Sequence, residues 1–147
     1  MARTGAAVMA LVDATGIPLA LARTPRRIVS LVPSFTETLF TLGAGPRLVG
    51  CTIYCREPAA GVTGVVRIGG TKNPRLDAIR ALRPDLVVAN VEENLREHVE
   101  TLRAWGLPVL VLYPRTVAEG IAAIRALGAA TGTAERAEML AAPLAAR

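Results

Sequence analysis

Cys51 and Cys55 are the two thiols of the chain, spaced C-x3-C, and His98 is its single histidine. A zinc site needs two further ligands beyond such a pair, so direct metal ligation is not expected. The apolar spacing around His98 places it mid-helix, away from any strand end, which argues against a Ser-His-Asp arrangement. No G-x-G-x-x-G follows the first parallel strand and no G-x4-G-K-[ST] occurs, so both common phosphate cradles are missing. No catalytic residue is expected. The residues that remain suit binding. Ser34, Tyr54, Cys55, Thr71, Lys72, Asn73, Asn90, Glu93 and Arg115 fall in short stretches at the ends of apolar runs. A tyrosine such as Tyr54 offers a flat apolar face with a polar end. Thr71, Lys72 and Asn73 follow Gly69-Gly70 and precede a helix, a place that suits an anionic group. Arg115 is suited to pair with a carboxylate or phosphate. Each also has a plainer reading. Tyr54 can pack as a strand-end residue, and residues 69–74 can be turn chemistry alone. Glu92, Glu93 and Asn94 can simply favour a helix start, and Arg115 can be solvated.

A β-α alternation must position these residues. Residues 8–22 are two apolar runs about Ala14-Thr15-Gly16 and predict a β-hairpin with Gly16 at positive φ. Residues 27–32 predict a buried strand. Ser34 with Glu37 reads as a capping box and predicts a helix from there, ending near Gly43. Further strands are predicted at 47–52, 65–68, 85–90 and 108–112. Asn73-Pro74 reads as an N-cap with proline in the first helical position. The helix it opens runs to Leu82, with Leu76, Ala78, Ile79 and Leu82 inward, and Arg83-Pro84 stops it. A helix over 92–105 turns Leu95, Val99 and Leu102 inward and packs Trp105 at its end. Thr116 and Glu119 form a second capping box for a helix through Leu127, and an Ala-rich helix starts near Ala134. Uniformly apolar strands need cover on both sheet faces. The fold class is therefore α/β, Rossmann-like, a mainly parallel sheet flanked by helices with an N-terminal β-hairpin. Ligands of such sheets sit at the carboxyl ends of the strands, here residues 33–37, 53–57, 69–73, 90–94 and 113–116. Cys51 is expected in the core and Cys55 exposed in the loop that follows.

Composition narrows the function classes. The apolar fraction is 52%, above the usual ~45–50%, which excludes disorder. A chain of 147 residues makes one domain and buries roughly two-thirds of its unfolded surface. With 26 alanines and five aromatic residues, the core must be built from Ala, Val, Leu and Ile. The formal net charge is +5, but the basic residues are scattered and not interleaved with aromatics, so no nucleic-acid partner is expected. No apolar run approaches ~18 residues, so no transmembrane helix is expected. Residues 6–12 are too short for an export signal. The chain as written carries no export address and would be cytoplasmic if Met1 is the native start.

Four stretches together carry a family resemblance. RIVSLVPSFTETLFTLG (27–43), IYCREP (53–58), GGTKNPRLDAIRALRPDLVVAN (69–90) and VEEN (91–94) resemble the amino-terminal lobe of the cobalamin and iron-complex binding proteins of ABC importers. This is the vitamin B12-binding class, also called helical-backbone metal receptors. The resemblance covers roughly residues 10–147. It implies two α/β lobes joined by one long helix with the ligand in the cleft. Residues 1–132 would be one lobe and 133–147 the start of the connecting helix. It implies solute binding without catalysis. The transported ligand would be cobalamin or another metal chelate, such as a ferric siderophore or haem, and no covalent cofactor is implied. An ABC permease would be the partner, and the location would be extracytoplasmic, periplasmic or membrane-anchored. By resemblance Tyr54 faces the corrin. Thr71 and Asn90 stand where B12 binders can carry stacking tryptophans, and neither can stack, which leaves room for a smaller or more polar complex. Asp77 would present a carboxylate to arginines of the permease. Two other readings stay open. One is a small nucleotide-binding α/β enzyme domain. The other is a half-receptor that pairs as a homodimer, with Ala134, Ala137, Met139, Leu140 and Leu144 as uncovered apolar surface.

Overall fold

The computed structural model describes residues 9–147. It opens with an antiparallel hairpin of β1 (Met9–Val12) and β2 (Pro18–Leu21). Gly16 turns it at φ 77°, in the left-handed region that glycine enters without steric cost. The first residue of the predicted hairpin, position 8, lies outside the described residues. Five apolar runs then form a second sheet: β3 (Ile28–Ser30), β4 (Leu48–Cys51), β5 (Val66–Arg67), β6 (Leu86–Asn90) and β7 (Val109–Leu112). All its pairings are parallel and the order is β5-β4-β3-β6-β7. The helices are α1 (Pro33–Thr41), α2 (Ala59–Val62), α3 (Leu76–Ala81), α4 (Arg96–Ala104), α5 (Val117–Thr131) and α6 (Ala134–Ala145), with a 3-10 turn at Gly45–Arg47.

Successive strand residues point to opposite faces, and both faces are buried. Ile28, Leu86, Val88, Leu110 and Leu112 meet Phe35 and Leu39 of α1, Leu127 and Ala130 of α5, and Leu19 and Leu21 of β2. Val29, Val87, Ala89, Val109 and Val111 meet Ile79 of α3 and Val99 and Leu102 of α4. The two-sided cover predicted from the strands is therefore present.

Three helix starts differ from expectation. α1 begins at Pro33 with Val32 as N-cap, φ −139° and ψ 120°, and no side chain caps it. Proline's fixed φ suits the first helical position, where its missing N–H is no loss. Ser34 thus lies inside the helix, and the capping box with Glu37 does not form. α3 begins at Leu76, because Pro74 pairs with Gly69 in an antiparallel bridge and the Arg75 amide donates to Ile68 O at 2.6 Å. Asn73 is therefore in a tight turn and not an N-cap. α4 begins at Arg96, so Glu92, Glu93 and Asn94 precede the helix instead of opening it. The Thr116 cap is as expected, its hydroxyl accepting from the Glu119 amide at 3.1 Å. The Glu119 carboxylate returns to the Arg115 amide at 2.9 Å, one residue before the cap. α5 runs past Leu127 to Thr131 and ends at Gly132, φ 72°.

α6 lies against α5, and Pro143 is accommodated within it. Of the residues expected to be uncovered, Ala137 is buried, because glycine at Gly128 lets α6 approach closely. Leu140 and Leu144 are half-buried, and Ala134 and Met139 are exposed. No helix among the described residues is long and apolar enough to cross a membrane.

Candidate functional site

The strand order reverses between β3 and β6. From β3 the chain continues to β4 and β5 on one side, then crosses to β6 and β7 on the other. α1 follows β3 onto one face and α4 follows β6 onto the opposite face. Such a switch point leaves a crevice at the carboxyl ends of the strands. Its rim is made of the segments that leave β3, β4, β5 and β6.

Asn94, 3% exposed, ties three of those segments together. Its Nδ2 donates to Leu31 O at 3.1 Å and to Thr71 O at 3.2 Å, and its Oδ1 accepts from the Asn90 amide at 2.8 Å. Asn90 is buried in turn, and its Oδ1 accepts from the amides of Glu92 at 2.8 Å and Glu93 at 3.3 Å. Lys72 Nζ donates to Glu92 O, a second link between the same two turns. The Ile53 amide donates to Gly69 O at 2.9 Å, which brings in the segment after β4. A side chain at Gly70 would displace the Asn73 amide oxygen and come into van der Waals contact with the Tyr54 ring, so the turn faces Tyr54 closely at this point.

The structure thus brings Tyr54, Thr71, Lys72, Asn73, Asn90 and Glu93 onto one connected rim. Tyr54 is 52% exposed there. Lys72 and Asn73 are exposed, Thr71 and Glu93 are half-buried, and the Asn90 side chain is occupied with its own turn. Ser34 is exposed in the first turn of α1. Arg115 is not part of this rim. It stacks on Tyr113, 4.6 Å from the ring centre, and pairs with Glu119 at 3.7 Å, beyond β7. Asp77 is exposed in the first turn of α3.

Cys55 corrects an expectation. It is 1% exposed and not open to the cleft. Thr36 and Thr52 place their hydroxyls 3.2 and 3.3 Å from its sulfur. Arg67 Nη1 donates to Cys55 O at 2.6 Å and Thr52 O at 2.8 Å, pulling the loop inward. Cys51 is fully buried as expected. The neighbouring Cys51 thiol, helped by the two threonine hydroxyls, outweighs burial and holds the Cys55 thiol down at about 6. The same neighbour and burial push Cys51 up.

A cavity of about 350 Å³ flanks the rim, walled by Ala14 and Thr15 of the hairpin, Asn90 and Val91 at the end of β6, and Arg96 and Arg103 of α4. Among the described residues no three His, Cys, Asp or Glu side chains are grouped to hold a metal ion. His98 is half-buried on α4, away from the rim. The arrangement offers an exposed aromatic face at Tyr54, an exposed cation at Lys72 and backbone groups held in place. Sequence reasoning missed the joining role of Asn94. The available signal was Asn-x3-Asn directly after a strand, since asparagine side chains close turns on their own backbone.

Residues 28–147 match the sequence profile of a family described as periplasmic binding protein. The chain is 29% identical over 114 residues to a vitamin B12-binding protein of Pectobacterium carotovorum subsp. carotovorum, covering 78% of this chain and 41% of that one. It is 30% identical over 132 residues to an uncharacterised ABC transporter substrate-binding lipoprotein of Bacillus subtilis, covering 87% and 41%. The apo structure of a periplasmic haem-binding protein from Roseiflexus sp. RS-1 superposes with a TM-score of 0.76 at 30% identity, covering 82% of this chain and 46% of the other. The chain spans less than half the length of these relatives.

Proposed function

The chain belongs to the periplasmic binding protein family, and we propose that it is a solute-binding lobe of an ABC importer that carries a metal chelate such as cobalamin, haem or a ferric siderophore. The observation that carries this reading is Tyr54, half-exposed on a rim that buried side-chain amides hold at the switch point of the sheet. A flat aromatic face beside a glycine turn suits a flat ligand with polar edges. Relatives named for binding vitamin B12 and haem support the same class. Thr71 and Asn90 provide no aromatic wall, which favours a smaller or more polar chelate over a corrin held between stacked rings. The protein works outside the cytoplasm and delivers to an ABC permease in this reading. Asp77, exposed on the first turn of α3, is the docking carboxylate.

The test is a titration of the 147-residue chain with haemin, cyanocobalamin and a ferric hydroxamate siderophore, followed by visible absorbance and tyrosine fluorescence. At least one chelate is expected to saturate. Tyr54→Ala should weaken it about tenfold or more, a loss of ~1.4 kcal/mol. No saturation by any of the three up to millimolar concentration, or equal binding by Tyr54→Ala, would overturn the reading.

A further inference from the structure

We infer that Asn94 is the positioning residue of the ligand rim, setting the place of Tyr54 without touching ligand itself; this rests on the reading of the rim as a binding surface. A side-chain amide carries two N–H donors and one carbonyl acceptor group. Asn94 spends both donors on Leu31 O and Thr71 O and accepts from the Asn90 amide. Those three backbone groups come from the segments after β3 and β5 and from the last residue of β6. The residue is 3% exposed, and its bonds to Leu31 O and from the Asn90 amide are buried, while the one to Thr71 O is part-buried. A buried carbonyl costs free energy when unpaired, and Asn94 supplies the partner for that of Leu31 while holding the half-buried turn at Thr71 with its second donor.

The effect passes on to Tyr54. Thr71 belongs to the turn whose Gly69 carbonyl accepts from the Ile53 amide, and whose Gly70 lies against the Tyr54 ring. Asn94 therefore acts on Tyr54 through the 69–74 turn. Residues of similar size do not serve equally. Aspartate lacks both donors and would face two carbonyl oxygens with a charge. Leucine fills the space and bonds to nothing. Binding constellations depend on such supporting contacts to hold their groups within about 0.5 Å.

A double-mutant cycle on the full chain tests this, with haemin and cyanocobalamin as probes. A residue acting through Tyr54 gives non-additive losses. Asn94→Ala alone should weaken the bound probe about tenfold, yet add less than threefold on top of Tyr54→Ala. Strictly additive losses overturn the inference. The second measurement needs no ligand. Amide hydrogen exchange in Asn94→Ala should quicken at Ile53 at least tenfold more than in α5. Uniform acceleration across the chain, the mark of a merely structural role, overturns it as well. If Asn94→Ala does not fold, Asn94→Ser, which keeps one donor, takes its place in both measurements. If neither probe binds the unaltered chain, the functional reading fails, and the exchange pattern still decides whether Asn94 positions the rim.

Discussion

The carboxylate of Asp13 meets the guanidinium of Arg103 at 2.6 Å across ninety residues of sequence. The Asp13 side chain is wholly buried, and the rest of its capacity is filled. Its Oδ2 also accepts from the Val111 amide at 3.0 Å, and its Oδ1 accepts from the amide and hydroxyl of Thr15 at 2.8 and 2.6 Å. Arg103 donates further to Val109 O at 3.0 Å. With the Ala14 amide donating to Val111 O at 2.8 Å, these bonds fasten the hairpin against β7. An edge strand would otherwise present unpaired backbone groups to other chains.

Asp13→Ala should therefore destabilise the chain strongly. Its removal leaves the buried Val111 amide and the partly exposed Arg103 guanidinium without their acceptor, and a buried donor left unsatisfied costs about 1–3 kcal/mol. Urea unfolding followed by circular dichroism checks it. A loss below about 1 kcal/mol would mean that Arg103 finds water once Asp13 is gone.

Stability should rise with pH between about 6 and 9. Cys55 has its thiol lowered to about 6 from an ordinary 9.0, first by the neighbouring Cys51 thiol and then by the Thr36 and Thr52 hydroxyls, against burial. Across that window the unfolded chain holds a proton that the folded chain has released, so the folded state gains as pH rises and loses the gain as pH falls through 6. Cys51 is shifted upward, so above 9 the sign reverses: the unfolded chain releases a proton that the folded chain keeps. Urea midpoints under reducing conditions at pH 6, 7.5 and 9 should trace this rise, and Cys55→Ala should flatten it. Equal slopes in both proteins would assign the dependence to other groups.

The strands were legible because their signal is local and redundant: Leu86, Val87, Val88 and Ala89 are all buried, and an unbroken apolar run says as much. The helix starts were less legible because distant backbone decides them. Asn73-Pro74 has the form of a helix cap, but Pro74 is held by Gly69 across a turn. Residues 92–94 look helical, but Asn94 is drawn to Leu31, 63 positions away. Tyr54 is expected just after the strand at 47–52 and stands there, half-exposed, because the end of an apolar run is a local signal. Cys55 was misplaced because Thr36, from another element, and Arg67 close over it. No spacing in the sequence encodes that closure.

Two glycines of α5 should respond oppositely to the same change. A methyl group at Gly128 would collide with the Ala137 Cβ where α6 crosses, while one at Gly120 would meet nothing within 4 Å. Overpacking of this kind costs about 1–3 kcal/mol, whereas replacing an unhindered helical glycine by alanine gains roughly 0.5–1 kcal/mol. Gly128→Ala is thus expected to lower the thermal midpoint and Gly120→Ala to raise it, by several degrees each in a scan. Matching shifts of the same sign would show that α6 is free to move away from α5.

The docking role proposed for Asp77 can be tested apart from folding. It is exposed, it makes no ion pair within 4.0 Å among the described residues, and it lies at the positive end of α3. Charge reversal at such a position removes a helix-dipole contact of a few tenths of a kcal/mol, so Asp77→Arg should change stability by no more than about 0.5 kcal/mol. A carboxylate at the rim of an interface acts mainly on the association rate. Purified permease in lipid nanodiscs should therefore capture the unaltered chain faster at low salt than at high salt, since exposed charges are screened within about 10 Å at 0.1 M. Asp77→Arg should slow capture several-fold and lose most of that salt dependence, with dissociation changed less. Unchanged association by Asp77→Arg, in a chain that melts at the original temperature, would remove Asp77 from the docking surface while leaving the ligand rim unaffected.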